Sequence, residues 1–241
     1  FHAGYLDRPL SQITAISPGT DKLIYGTTSR GADLLYKELG VPREKTDWTT
    51  KNKQVKQPYL WHTMMVANFR VALTLALKGR EDLELLFWRQ GQELKDHVFI
   101  QEGQGRKAKI SVYPDAFFGI KDNRKGVRED KSKMYFFLEA DRGTMALDRF
   151  LRKMKGYWRY RKEGKHTKKH RIKNFRVLTI NNKTVRIENL RQITKKAADN
   201  KKGSALYWFG VESAFSLEKP ETLLGNIWKT PVDNASRSIL E

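Results

Sequence analysis

The sequence predicts a mixed α/β fold, in which helices flank a sheet that has both antiparallel and parallel neighbours. Its periodic segments follow the order helix, three strands, helix, strand, and then a further helix and strand. The first three strands are close enough in sequence to pair as an antiparallel meander. The fourth strand is reached through a helix, and such a crossover favours parallel pairing.

The first segment, residues 1–45, reads as a small unit of its own. The stretch LIYGTTSRGADLLYKELG predicts a short strand over Leu23–Tyr25, a turn, and a helix over about Ser29–Leu39 that Gly40 stops. This pattern is typical of the end of a winged helix. We therefore expect a partial winged-helix region whose first helices would precede Phe1, in a chain that is part of a longer protein.

The two domains are predicted to be joined by a polar linker. The stretch EKTDWTTKNKQVKQP is polar and ends in proline, so residues 46–59 are assigned to the linker and residues 60–241 to the second domain. The second domain is predicted to contain these elements in order: a helix over Trp61–Leu77, strands at Leu83–Trp88, Lys109–Tyr113 and Met134–Glu139 with a hairpin loop at 121–133, a helix over Thr144–Arg161, a basic loop at 162–173, a strand at Phe175–Ile180, a helix over Val185–Ala198, and strands at Ala205–Val211 and Leu224–Trp228.

Composition narrows the class of partner. The 241 residues include 47 Lys and Arg but only 27 Asp and Glu, which gives a net charge of +20 and a pI near 10.0. A globular chain this basic usually binds a polyanion, and nucleic acid is the first expectation. The absence of cysteine excludes disulfides, a thiol nucleophile and metal sites built on cysteine. No apolar run approaches the roughly 18 residues of a membrane span, so we expect a cytoplasmic protein without a membrane partner.

Three carboxylates fall at the ends of apolar stretches. Asp115 is expected to end the second strand and Glu139 the third, so both should lie at one edge of the sheet. Asp141 follows two residues later and should face the same side as Glu139. Clustered carboxylates repel one another unless a divalent cation lies between them, and Mg²⁺ prefers oxygen ligands. The sequence therefore predicts a Mg²⁺ or Mn²⁺ site that could activate water against a phosphodiester.

The same residues resemble two known groups of proteins. Pro114-Asp115 and Glu139-Ala140-Asp141, on this order of elements, resemble the PD-(D/E)xK nuclease superfamily. The ordered set GYLDRP, YGTTSRGADLL, HTMMVANFRVAL, PDAFF, FFLEADRGT, KMKGYWRY and FRVLTI is similar to the replication-relaxation family of Gram-positive plasmids and mobile elements. This resemblance implies a winged helix followed by a nuclease-like domain, double-stranded plasmid or integrative-element DNA as the partner, and replication or mobilisation proteins as further candidates.

The chain departs from the superfamily pattern at one position. The superfamily has lysine where this chain has Asp141, and that lysine orients the attacking water and balances charge. The resemblance therefore implies either that a lysine from elsewhere takes this role or that the site is inactive, and Lys153 and Lys155 on the following helix are the candidate lysines. Contacts with DNA are expected from Arg30, Arg142, Lys165, Lys168, Lys169, Arg171 and Lys173.

Each of these residues also has a purely structural interpretation. Asp115 could be a turn acid after Pro114, Glu139 one half of a structural ion pair, and Asp141 an acid near the positive end of a helix. Trp158 belongs to the apolar stripe of its helix, while Tyr157 or Tyr160 could either stack on a base or pack. Two functions remain open: a Mg²⁺- or Mn²⁺-dependent DNA endonuclease or nickase, or a DNA-binding replication or regulatory factor whose nuclease-like fold has lost catalysis.

Overall fold

The computed structural model describes residues 3–9, 23–43, 46, 57–102, 106–199 and 202–241, and the chain divides into two units between Thr63 and Met64. In the first unit, β1 (Leu6–Asp7) and β2 (Gly26–Thr27) pair in antiparallel fashion. The strand expected at Leu23–Tyr25 therefore begins three residues too early and ends just before β2. Strand β2 is confined to Gly26 and Thr27 because these are the residues that pair with the two residues of β1.

Helix α1 (Ser29–Leu39) has the predicted bounds, because the sequence carries both of its end signals. The Thr28 side chain accepts the N–H of Gly31 at 3.2 Å and so caps the first turn. At the other end Gly40 has a φ of 65°, a left-handed conformation that favours glycine. Most of the predicted linker, 46–59, lies outside the described residues.

Helix α2 (Gln57–Lys78) begins four residues earlier than expected and crosses the division between the units. Contrary to the expectation that no membrane-length run exists, Tyr59–Lys78 is long and apolar enough to span a membrane by length and composition alone. Core helices of globular domains pass the same test. Phe69 and Leu73 of this helix are fully buried in the core of the second unit, so packing explains its apolar composition.

The second unit is built on a seven-stranded mixed sheet. Its strands are β3 (Leu83–Arg89), β6 (Ala116–Asp122), β7 (Lys133–Ala140), β8 (Arg176–Asn181), β9 (Tyr207–Val211), β10 (Trp228–Lys229) and β11 (Ser236–Arg237). They lie in the order β11-β10-β9-β8-β7-β6-β3. Neighbouring strands pair in parallel between β7 and β8 and between β8 and β9, and in antiparallel fashion elsewhere. The helices are α3 (Leu147–Lys162), α4 (Lys165–His170) and α5 (Thr184–Thr194).

Two further strands form a separate antiparallel hairpin, β4 (Asp96–Glu102) and β5 (Arg106–Val112). The hairpin packs on α3, where Val98 and Ile110 join the same buried cluster as Met154. A Cβ added at Gly156 would lie 2.8 Å from Ile110 Cγ2, so the two elements approach closely at this glycine. The hairpin is thus an addition to the sheet on the side of α3.

The sheet is covered on both faces. One face, with Phe118 and Phe136, packs against α2, while the other, with Phe117 and Phe137, packs against α3, α5 and the hairpin. Alternate residues of β6 and β7 point to opposite faces, as the period of two requires. Both faces are apolar, and in these central strands the alternation of apolar and polar residues is lost.

Several predictions for this unit were wrong. The strand expected at Leu224–Trp228 is only the two-residue β10. The second sheet strand is β6 and not Lys109–Tyr113, which instead falls mostly in the hairpin strand β5. Residues 162–173 are not a loop throughout, because six of the twelve form α4. Finally, the fully buried aromatic residues of α3 include Tyr157 and Tyr160, whereas Trp158 is only partly buried.

Candidate active site

The polar edge of the sheet lies where β7, β8 and β9 end and β6 begins. Ala116 pairs with Leu138, so the residue before β6 lies beside the end of β7. The N–H of Asp115 donates to Leu138 O at 2.9 Å, and the N–H of Ala140 donates to Asp115 Oδ2 at 2.8 Å. The structure therefore brings Asp115 and Glu139 to the same edge, although Asp115 precedes its strand and does not end it.

Glu139 is the centre of a buried polar network. Lys153 Nζ donates to one carboxylate oxygen, Oε2, and the hydroxyl of Tyr157 donates to the other, Oε1. Both donors come from α3, where a spacing of four residues places them on one face of the helix. The Glu139 side chain is 6% exposed and that of Lys153 22%, so Lys153 is the more accessible member of this pair.

Burial and charge set the protonation of this network. Burial raises the pKa of Glu139 to about 7, and Lys153 counteracts this shift while Asp115 adds to it. Burial alone would lower the pKa of Lys153, but the carboxylates of Glu139 and Asp115 outweigh it, and the net shift of this pKa is upward. Burial and the neighbouring Glu139 hold the pKa of Tyr157 well above its ordinary value. The lysine therefore stays charged and the tyrosine stays a hydrogen-bond donor.

Asp141 belongs to a second set of contacts. β7 ends at Ala140, and the Asp141 carboxylate accepts from Arg186 Nε at 2.8 Å and from Asn181 Nδ2 at 3.0 Å. Arg186 in turn donates to the carbonyl oxygen of Met145. Asp141 thus ties the end of β7 to the end of β8 and to α5.

The two candidate lysines differ in position. Lys153 faces Glu139, while Lys155 is exposed and lines a cleft on the outer side of α3. On a helix, residues two apart point in nearly opposite directions. The structure therefore joins Lys153, and not Lys155, to the two carboxylates.

The basic residues expected to contact DNA fall into distinct groups. Lys165 and Lys169 of α4 donate to the carbonyl oxygens of His97 at 2.6 Å and of Lys95 at 2.7 Å, and so fasten α4 to the start of the hairpin. The three other residues in and after α4 are exposed: Lys168, Arg171 and Lys173.

The remaining two basic residues lie elsewhere. Arg30, in the first unit, lies over the ring of Tyr5 at 4.8 Å from its centroid. Arg142 is partly exposed after the end of β7. Burial raises the pKa of Glu212, and the charge of Arg142 opposes this shift only in part. Of the five predicted residues in and after α4, Lys165 and Lys169 donate to backbone carbonyl oxygens. The described contacts include no such hydrogen bond from Lys168, Arg171 or Lys173.

Sequence reasoning missed three side chains of this region. Tyr157 was considered for base stacking, yet its spacing of four residues from Lys153 was a signal for a shared face. Asn181 is the last residue of β8 and lies at the same edge, a position that the parallel pairing of β7 and β8 would have indicated. For Arg186 the sequence carries no comparable signal, because its contact with Asp141 depends on how α5 packs.

Across the described residues, no group of three or more His, Cys, Asp or Glu side chains could hold a metal ion. The three acids singled out in the sequence thus separate into the pair Asp115 and Glu139, beside Lys153, and the ion pair of Asp141 with Arg186. Two adjacent carboxylates with one ammonium group can bind a cation or organise water near a bound anion.

The Asp115, Glu139 and Lys153 centre lies within a region that matches a known family, whereas Asn181 and Arg186 follow that region. A family model described as Replication-relaxation matches residues 2–177, which include Asp115, Glu139, Asp141, Lys153 and Tyr157. No curated protein and no solved structure matches the chain.

Proposed function

The chain belongs to the replication-relaxation family, and from this membership we propose that it acts on plasmid or mobile-element DNA as a metal-dependent endonuclease or nickase. The observation that carries the proposal is the junction of Asp115, Glu139 and Lys153 at one edge of the sheet. Two acids at one edge of the sheet can hold a metal ion that activates water, and the lysine from α3 adds a positive charge beside them.

The order of elements supports the same proposal. Helix α2, strands β3, β6 and β7, helix α3 and strand β8 follow the helix–three strands–helix–strand order of the PD-(D/E)xK superfamily, with the β4–β5 hairpin inserted after the first strand. The superfamily lysine would be supplied by α3, because Asp141 occupies its usual place. For the first unit we propose a partial winged helix, to which β1, β2 and α1 would belong.

The carboxylate pair suits Mg²⁺ or Mn²⁺. Mg²⁺ keeps several of its waters and is commonly held by only one or two carboxylates, so a site of three acids is not required. Asp115 and Glu139 would hold the ion, and a cation would relieve both the burial of the Glu139 charge, which raises its pKa most, and the repulsion from Asp115, which adds to that shift. When bound, such an ion supplies an activated water and neutralises charge on the phosphate.

The other side chains would act around this pair. Lys153, charged and in part exposed, would steady negative charge on the phosphodiester and orient the attacking water. Tyr157 would fix the orientation of the Glu139 carboxylate by its hydrogen bond to Oε1. Asp141 would have a structural role through Arg186 and not serve as a ligand.

Binding to DNA would depend on the basic surface. Neutralising Lys168, Arg171 and Lys173 together should weaken binding to all duplex sequences alike and reduce the slope of log affinity against log salt by about 2 to 3. Neutralising Lys165 and Lys169 should instead lower stability, because their ammonium groups hold backbone carbonyl oxygens. Fluorescence anisotropy with a labelled duplex measures the salt slope of each variant. An unchanged slope in the first variant excludes Lys168, Arg171 and Lys173 from the interface.

The enzymatic proposal is tested by nicking of supercoiled plasmid in Mg²⁺ or Mn²⁺, including a plasmid that carries the origin of the chain's own element. Asp115→Asn and Glu139→Gln should bind DNA at least as well as the parent, since they remove negative charge, and should fail to nick. If the parent protein nicks no plasmid with either ion, the endonuclease proposal falls. Undiminished nicking by Glu139→Gln would assign the activity to another site.

A second candidate function is a DNA-binding replication or regulatory factor without catalysis. The observation that favours it is that both oxygens of Glu139 already have protein donors and that Asp141 is paired with Arg186, so the network is complete without a metal. In either case we place the protein in the cytoplasm, with replication or mobilisation proteins as partners. DNA binding without any nicking is the outcome that selects this function.

A further inference from the structure

We propose that the outer side of α3 forms a second nucleic-acid site, which binds a single strand in the cleft between α3 and the β4–β5 hairpin. The cleft has a volume of about 1420 Å³ and is bounded by the hairpin, the outer face of α3 and the segment 196–199. This volume exceeds the roughly 300–1,000 Å³ of pockets for small molecules. All three walls belong to the second unit.

The charge of the cleft favours a polyanion. Lys107 of the hairpin, Lys155 of α3 and Lys196 after α5 line it from three sides, are exposed, and form no ion pair with another described side chain. Of the acids in the lining, Glu163 is paired with Arg159. Asp199 is paired with Lys162, and Asp148 is the third acid. The three lysines thus converge on one cavity with their charge available to phosphates.

An exposed aromatic ring favours a single strand over a duplex. Phe99 lies at the rim of the cleft with 47% of its surface exposed, and its ring is held edge-on by His97 at 5.4 Å between centroids. Its cross-strand partner is Lys109, a further exposed cation. A base can stack on such a ring only when it is not already stacked within a duplex. In single-strand binding proteins, bases stack on aromatic side chains in this way.

The cleft is separate from the Glu139 centre. Asp148, Arg152, Lys155 and Arg159 recur every three or four residues on the outer face of α3, whereas Lys153 and Tyr157 lie on the opposite face. The second site therefore goes beyond the proposed chemistry and does not depend on it. A protein that handles relaxed or replicating DNA would use it to hold a displaced strand while duplex binds elsewhere.

The test is equilibrium binding of a fluorescent oligothymidylate of about 20 nucleotides, in EDTA so that no strand is cut. In the triple variant Lys107→Gln, Lys155→Gln, Lys196→Gln, three lost phosphate contacts should reduce the salt slope for the oligothymidylate by about 2. Binding to a duplex should change much less. The matched control is Lys125→Gln, Lys131→Gln, Lys219→Gln, three exposed lysines outside the cleft.

A second variant tests stacking separately from charge. Phe99→Ala should weaken oligothymidylate binding about tenfold, and Phe99→Trp should restore it, because every base has a face that can stack on an aromatic ring. The proposal is overturned if the parent does not bind the oligothymidylate at about 50 mM salt, if the control triple loses as much as the cleft triple, or if Phe99→Ala binds like the parent. Glu139→Gln should bind the oligothymidylate normally, so a failure of the nuclease proposal would leave this result intact.

Discussion

At the scale of single residues, the hydroxyl of Tyr157 should contribute more to stability than an ordinary buried tyrosine hydroxyl. It donates to a buried carboxylate, and hydrogen bonds to charged groups contribute about 1.5–3 kcal/mol against about 1 kcal/mol for neutral pairs. We predict that Tyr157→Phe lowers the free energy of unfolding by about 2 kcal/mol. Tyr207 is the matched comparison, because it is equally buried and donates to a neutral acceptor, the carbonyl oxygen of Met154, at 2.9 Å.

Urea denaturation of both variants measures the difference. Tyr207→Phe should cost about 1 kcal/mol, and the two phenylalanine rings preserve packing in each case. Equal losses in the two variants would mean that the hydrogen bond from Tyr157 to Glu139 contributes no more than one to a neutral acceptor.

His170 should make the protein less stable in mild acid. Its ring packs between Phe117 and Phe137, at 4.6 and 5.5 Å between centroids. Burial lowers its pKa to about 4 from the ordinary 6.5, and the cations Lys169 and Arg89 add to the shift. Between pH 6.5 and 4 the unfolded chain therefore binds the proton more readily than the folded chain, and stability falls as the pH falls through this window.

The measurement has to isolate this histidine. Glu139, with a pKa raised from 4.5 to about 7, contributes the opposite slope, since the folded state holds its proton longer and stability falls as the pH rises. The quantity to compare is therefore the difference between the parent and His170→Gln in urea denaturation at pH 7 and pH 4.5. The parent should lose more stability than the variant, and parallel pH profiles would contradict the assignment.

At the scale of elements, Gly156 is the point at which the hairpin can reach α3. An added Cβ would meet Ile110 Cγ2, which sits on a β-branched carbon and cannot turn away easily. We predict that Gly156→Ala destabilises the parent by about 1 kcal/mol, because overpacking outweighs the gain in helix propensity. In an Ile110→Ala background the same substitution should stabilise by up to about 1 kcal/mol.

A double-mutant cycle in urea measures this coupling. The sign of the Gly156→Ala effect should reverse between the two backgrounds. The same effect of Gly156→Ala in both backgrounds would show that Ile110 of the hairpin does not contact α3 at this position.

The elements that sequence could predict are those that carry their own boundary signals. Thr28 and Gly40 fix α1, and the periodic apolar residues of α2 and α3 are visible in the sequence. Strand β6 was missed because Ala116–Asp122 is apolar towards both faces of the sheet and so shows no alternation. The hairpin β4–β5 does alternate, but nothing local shows that it leaves the sheet to pack on α3.

At the scale of the whole molecule, the candidate site was predictable only in part. The pairing of adjacent strands implied that Asp115 and Glu139 would lie together, and the missing motif lysine pointed to α3. The contacts of Asp141 with Arg186 and of Glu139 with Tyr157 depend on how α5 and α3 pack on the sheet, which no local pattern encodes. Net charge, by contrast, follows directly from composition, and +20 is consistent with two separate nucleic-acid surfaces.

Lys153 is the residue on which the proposed activity most depends, and Lys155, two positions later on α3, is its matched control. Nicking of supercoiled plasmid in Mg²⁺ and Mn²⁺ should be compared for Lys153→Met and Lys155→Met, with duplex binding and circular dichroism as checks that both variants fold. Loss of the positive charge beside the phosphodiester should slow nicking by about 100-fold or more in Lys153→Met, whereas Lys155→Met should remain within about twofold of the parent. Parent-like nicking by Lys153→Met, or an equal loss in Lys155→Met, would contradict the assignment of catalysis to the Asp115, Glu139 and Lys153 centre.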